Sequence, residues 1–361
     1  MKTALIVLLA GLLVSCSSAP ERVSSPELPR PVEASLRVAS EPPPHALNVG
    51  IRVFEANETG DTSLYDARKQ VRSVEKRYVP CQLKKTLDRS GYFGAVRVMP
   101  REDLSAELNI TGRLIESDGA VLKFSVKAED VAGRIWLDRI YQDGATGEDY
   151  STDPDYNKDP FQGLYNQVAN DLIEELRLRS EPELQTLLDI ATIVYGRALS
   201  EEAFGRYLEE TEAGLVLVGL PALTDPAFVR VQRIRDSEYL FADSIDAHYE
   251  SLQRQIGQTY AWWQHYSYEL IMGNRRLEKI DATRGATSGS WYSLERVYKT
   301  YQESKMNEDA LRELTESFDR ETEPTVTEIA GKLVQLHGTL DFQVDEWRRL
   351  LRQAWQQETA L

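Results

Sequence analysis

The apolar positions of this chain change rhythm several times, and each change marks an expected boundary. Behind Met1-Lys2, the residues from Ala4 to Val14 form a nearly unbroken apolar run that ends in Leu13-Val14-Ser15-Cys16. About a dozen residues is too short for an ordinary spanning helix, which needs roughly 20. A charged start, an apolar middle and small residues at the end make an export signal, so residues 1–15 are expected to be removed. From 16 to 45 periodicity disappears. Pro, Ser and Glu dominate this stretch, and a segment with so few large apolar side chains cannot bury enough surface to fold, which predicts an extended, disordered tether.

A first folded unit is expected over 46–180. Residues 47–55 (LNVGIRVFE) read as a strand. Residues 67–90 then repeat apolar side chains at helical steps through Val71, Val74, Tyr78, Leu83 and Leu87, with Pro80 predicting a kink or break. Past Gly91 the rhythm shortens to alternation in FGAVRVMP, AELNITGRLIES, AVLKFSVKAED and RIWLDRIYQ, with turn pairs at Asp118-Gly119 and Ala132-Gly133. A last helix, with Phe161, Leu164, Val168, Leu172 and Leu176, starts near Pro160. The order β-α-β-β-β-β-α predicts helices against one face of a sheet.

From 181 to 361 the pattern is helical. Ser180 and Pro182 mark one helix entry, with Leu184, Leu187, Leu188, Ile190 and Val194 as its buried face. Residues 214–228 (GLVLVGLPALTDPAF) are too apolar for a free loop and are expected to pack between the two units, or to serve a partner. From Phe241 the apolar positions Ile245, Tyr249, Leu252, Ile256, Tyr260, Trp263, Tyr266 and Leu270 step by the ordinary 3.6 residues of a helix. Gly285 and Gly289 break this pattern, a second helix is expected over 291–318, and the capping-box sequence Thr325-Val-Thr-Glu328 predicts the start of a third. The fold class read from these patterns is α+β: an α+β sheet domain (46–180) followed by an all-helical elongated bundle (181–361).

Leu13-Val14-Ser15-Cys16 resembles the bacterial lipobox, in which a peptidase cuts before the cysteine and the thiol receives diacylglycerol. The resemblance implies an acylated Cys16 as first residue of the mature chain, and Ser17-Ser18 after it implies an outer-membrane lipoprotein facing the periplasm. Acyl chains contribute about 0.8 kcal/mol per buried CH₂, so several would anchor it stably. The stretch 79–98, a helix ending in LDRSGYFGAVRVMP, and the order of elements around it resemble the small α/β domains of envelope assembly lipoproteins, such as the curli secretion lipoprotein and the amino-terminal domain of TolB. That resemblance implies a role in contacts between envelope proteins and brings no catalytic residues. The helical second half departs from those proteins.

Charge narrows the partners. The formal net charge is −16, and removing residues 1–15, which hold one basic residue and no acidic one, makes it −17. A body this acidic, with no compensating Lys/Arg stripe, is not expected to seek nucleic acid or anionic lipid headgroups. With Cys16 acylated, only Cys81 remains, so an intramolecular disulfide and a cysteine-based zinc site are excluded. Its place on a helical apolar face predicts a buried, inert thiol.

Candidate chemistry is sparse. His45, His248, His265 and His337 show no metal-ligand spacing, and there is no nucleophile elbow, phosphate loop or dinucleotide fingerprint. Asp153, Asp155 and Asn157 imitate half a calcium loop, but Lys158 and Leu164 stand where a glycine and a bidentate glutamate belong. Asp159-Pro160 is better read as a cap for the helix beginning at Phe161. No cofactor or metal is expected. The most unusual stretch is YAWWQHYSYEL (260–270). There Trp262, Trp263, His265 and Tyr268 are candidates for binding a partner or a glycan, against the reading that Trp263 and Tyr266 continue the core stripe. The expected function is a non-enzymatic adaptor or assembly factor on the outer membrane with an envelope protein partner; the alternative is a protein that binds or modifies peptidoglycan.

Overall fold

The alternating segments form one mixed sheet. The protein's computed structural model describes residues 27–56, 65–150, 159–284, 324–329 and 332–359. Cys16, the calcium-like residues 153–158, Gly285, Gly289 and the helix expected over 291–318 lie outside them. The strands are β1 (Val49–Arg52), β2 (Glu55–Ala56), β3 (Val96–Met99), β4 (Leu108–Ser117), β5 (Val121–Asp130) and β6 (Ile135–Gly144). They lie in the order β3-β1-β4-β5-β6, with β2 added beside β4. β1 runs parallel to β3 and β4, while β4, β5 and β6 form an antiparallel meander. Ile110, Leu114, Phe124 and Val126 point into the core; Thr111, Arg113, Ser125 and Lys127 point the other way.

Two helices cover the apolar face: α1 (Tyr65–Ser90) and α2 (Gln162–Arg177). Pro80 neither ends nor interrupts α1. Proline has no N–H for the carbonyl four residues back, and that carbonyl, of Lys76, accepts the Phe54 N–H instead at 2.9 Å. Asp159 does cap its segment, accepting the Phe161 N–H at 2.9 Å, although α2 itself begins one residue later, at Gln162.

Part of the expected tether is docked on the body. Residues 29–39 run as an extended strap along β6 and α2. The Val32 N–H donates to Asp143 (2.8 Å), Asn166 donates to the Ala34 carbonyl (2.8 Å), and Asn170 both donates to the Ser35 carbonyl and accepts the Arg37 N–H, each at 2.9 Å. Two glycines permit the approach. A Cβ at Gly163 would lie 1.7 Å from the Val32 carbonyl oxygen, and one at Gly144 would lie 2.1 Å from that of Pro29.

The second half adds α3 (Glu181–Leu199), α4 (Glu201–Phe204), the hairpin β7 (Leu208–Thr211) with β8 (Gly214–Leu217), and α5 (Pro226–Arg284). Beyond these come the hairpin β9 (Thr325–Ile329) with β10 (Lys332–Leu336), and α6 (Leu340–Thr359). Ser180 and Glu183 form the capping box of α3. Two expectations are corrected here. The Thr325-Val-Thr-Glu328 pattern opens a strand rather than a helix, with Thr325 and Thr327 buried and Val326 exposed, so the half is not all-helical. Residues 214–228 are not sealed between the halves: Leu215 N–H bonds to Ala132, but alternation turns Val216 and Val218 outward, and Leu220 and Leu223 are also exposed.

α5 is the spine, 59 residues and about 88 Å long. Its first half packs antiparallel to α6, with Phe241 stacked on Trp347 at 4.8 Å. Its middle lies along the edge strand β3, where Asp246 accepts the Val98 N–H at 2.7 Å. Its second half packs antiparallel to α1 through Leu252, Ile256, Tyr260, Val71, Val74 and Tyr78. The main buried cluster is continuous from Leu47 through the sheet to Trp355.

Candidate functional site

Helical geometry separates the four aromatic candidates on α5. At about 100° per residue, neighbouring side chains cannot share a face. Tyr260 turns inward, almost fully buried, with its ring 4.4 Å from Tyr78 and 5.7 Å from Trp263. Trp263 is half-buried in that stack. Trp262, one residue away, is 66 % exposed. His265 stacks on Tyr150 at 5.2 Å with the planes 7° apart, and Tyr268 lies 4.9 Å from the same ring. Tyr150 donates to the Gly119 carbonyl at the β4–β5 turn, so this pair clamps α5 to the end of the sheet. The structure thus joins His265 and Tyr268 in a clamp, puts Trp263 in the core stack, and leaves only Trp262 presented to solvent.

Below the stack lies a buried polar pocket that spacing alone did not single out. Glu75 of α1 is fully buried and accepts from Ser117 at 2.6 Å and Tyr260 at 3.1 Å, with Arg72 3.8 Å away. Burial pushes its carboxyl up to about 7 despite the nearby guanidinium. Tyr78 donates to Asp159 at 2.9 Å, and burial raises that carboxyl to about 6. One signal was available: Glu75 sits among Val71, Val74 and Tyr78 on the apolar stripe of α1, where a solvated acid does not belong. Its partners come from β4 and α5 and could not be read locally. With no solvent-facing surface, Glu75 cannot reach a substrate; it fastens α1 and α5 to the sheet.

A second buried network holds the start of α5. Arg235 bonds to Glu107 (2.5 Å), the Ser105 carbonyl (2.8 Å) and Thr192 (2.9 Å). One turn on, Glu238 accepts from the Trp347 indole at 2.7 Å, with Arg348 3.7 Å away, and burial raises its carboxyl to about 7. Cys81 is buried and its thiol is pushed up to about 12 by burial. The burial is the one its place on the apolar face of α1 predicted, and a thiol held protonated in this way is a poor nucleophile.

The open face of the sheet carries a shallow cavity of about 310 Å³ lined by Arg52, Glu55, Thr111, Arg113, Lys127 and Asp138. Arg113 is committed to Glu55 and Lys127 to Glu129. Among the described residues no group of three or more His, Cys, Asp or Glu side chains is placed to hold a metal, and no helix is long and apolar enough to cross a membrane.

No protein-family model and no curated protein matches this chain. One solved structure that it matches is protein XCC0632 from Xanthomonas campestris, described by the family model DUF330. The identity is 15 %, the TM-score 0.23, and the match covers 42 % of this chain and 97 % of that one. A likeness of that degree carries no argument about function.

Proposed function

We propose that this protein is an outer-membrane lipoprotein that acts as a non-enzymatic adaptor for an envelope complex. The reading joins two supports. Residues 13–16 have the lipobox pattern that would put acyl chains on Cys16 and the body in the periplasm. The observation that carries the adaptor role is the form of α5: among its described side chains the last buried one is Gln264, yet the helix continues to Arg284, about 30 Å further. Two buried polar networks and a sheet edge hold the body of this helix, and a helix so fastened can present its remainder rigidly. Trp262, bulky, amphipathic and exposed, is the kind of anchor residue that dominates protein interfaces.

Peptidoglycan binding is the second reading, favoured by the same exposed Trp262. It is weakened by the turning of Trp263 into the core stack, which leaves one ring rather than a platform. Processing tests the address directly. A Cys16→Ser variant is expected to accumulate as unprocessed precursor, and normal maturation of that variant would contradict the lipobox reading.

A further inference from the structure

The docked strap decides from which end of the body the N-terminal segment leaves. β1, β3 and β4 all run toward the Gly119 turn, and β6 returns to that same end at Gly144. The opposite end holds the β5–β6 turn at Gly133, the start of β1 and the β7–β8 hairpin, whose Leu215 bonds to Ala132. Followed alone, β1 would bring the N-terminal segment into the body at this second end.

The strap reverses the route. Ala39 bonds to the Ser90 carbonyl at the C-terminus of α1, next to the β1 end. From there, going back along the chain, Arg37 meets Asn170 and Glu174, Ala34 meets Asn166, Val32 meets Asp143, and Pro29 lies against Gly144. The segment therefore climbs the full height of α2 and leaves at the Gly119 end, about 33 Å from where β1 begins for a ten-residue strand. Backbone groups on 32, 34, 35 and 37 are each held by an Asp or Asn side chain. This is recognition of an extended main chain, and the two close glycine approaches show a seat shaped for it.

We propose that this strap is an orienting device, which fixes the Gly119 end toward the bilayer and directs the α5 arm at the membrane surface. The inference rests on acylation of Cys16. From Cys16 to Pro29 the chain spans at most about 45 Å, whereas an undocked segment reaching to Leu47 would span about 100 Å and attach at the other end. α5 passes Gly119 at Gln264–Tyr268, where a Cβ on Gly119 would touch its backbone, and it continues outward from that end. Anchor and arm thus share one side of the body. The hairpin end, with exposed Val216, Val218 and Leu223, is turned away from the bilayer.

Energy transfer to labelled lipid headgroups tests the orientation. The full-length lipoprotein, purified after maturation and reconstituted in phosphatidylethanolamine/phosphatidylglycerol vesicles, carries a donor dye on Glu116→Cys at the Gly119 end or on Glu212→Cys in the β7–β8 hairpin. Transfer from position 116 is expected to exceed that from 212 several-fold. Asn166→Ala with Asn170→Ala, or Gly163→Ala alone, should release the strap and remove or reverse the difference, with circular dichroism reporting that the body is still folded. Equal or greater transfer from 212 in otherwise unaltered, acylated protein would overturn the orientation while leaving the anchor intact. An intact mass without acyl chains would overturn the anchor and, with it, the device.

Discussion

The phenol of Tyr260, on the long helix, donates to the carboxylate of Glu75, on α1, across 3.1 Å inside a region closed to solvent. A carboxyl held at about 7 by burial is protonated in the folded protein over a range where the unfolded chain, near 4.5, has already released its proton. Between those values the folded state binds more protons, so its stability falls as pH rises. Glu238, also at about 7, acts in the same sense, as do Asp143, Asp159 and Asp246 at about 6. Each glutamate accounts for on the order of 3 kcal/mol across the window. Thermal unfolding at pH 5 and pH 8 should show higher stability at pH 5, and Glu75→Gln should reduce that difference. An unchanged difference would place Glu75 in water.

Arg235 and Glu107 form a pair with both side chains nearly excluded from solvent. Removing one partner leaves a buried, uncompensated charge, so Arg235→Ala is expected to cost about 3–5 kcal/mol in denaturant unfolding. Arg235→Met combined with Glu107→Leu should recover most of that loss, because the pair's desolvation cost disappears with both charges. A double variant as unstable as the single one would assign the loss to packing instead.

Trp262 and Trp263 differ in role although they are neighbours. Trp262→Ala removes an exposed ring and should change stability by less than about 0.5 kcal/mol. Trp263→Ala removes the outer ring of the Tyr78–Tyr260–Trp263 stack and should cost more than about 1 kcal/mol. Equal effects on the midpoint of unfolding would refute the division between presented and packed ring.

The sequence reading succeeded where one period governed a whole segment. Alternation along β4 and β5 and 3.6-residue steps along α5 come from the same requirement, that one face be buried, and so they survive without knowledge of partners. It failed at Thr325-Val-Thr-Glu328, where a cap pattern and an alternating β-branched pattern coexist and pairing with residues 332–336 decides. The strap was illegible for another reason. Its own composition is that of a free tether, and what holds it is Asp143, Asn166 and Asn170, more than a hundred residues away. The site divided similarly. The aromatic stretch was conspicuous, but which ring faces outward depended on Tyr78 and Tyr150, brought in from other elements.

The adaptor role stands or falls on what touches the exposed side of α5 in the cell. A photo-crosslinking residue placed at position 262 in intact cells, with a second at Ile140 on the open sheet face as comparison, reads this out by mass spectrometry of the adducts. The account predicts a reproducible envelope protein attached at 262 and not at 140. Peptidoglycan fragments alone at 262, or the same adducts from both positions, would contradict it.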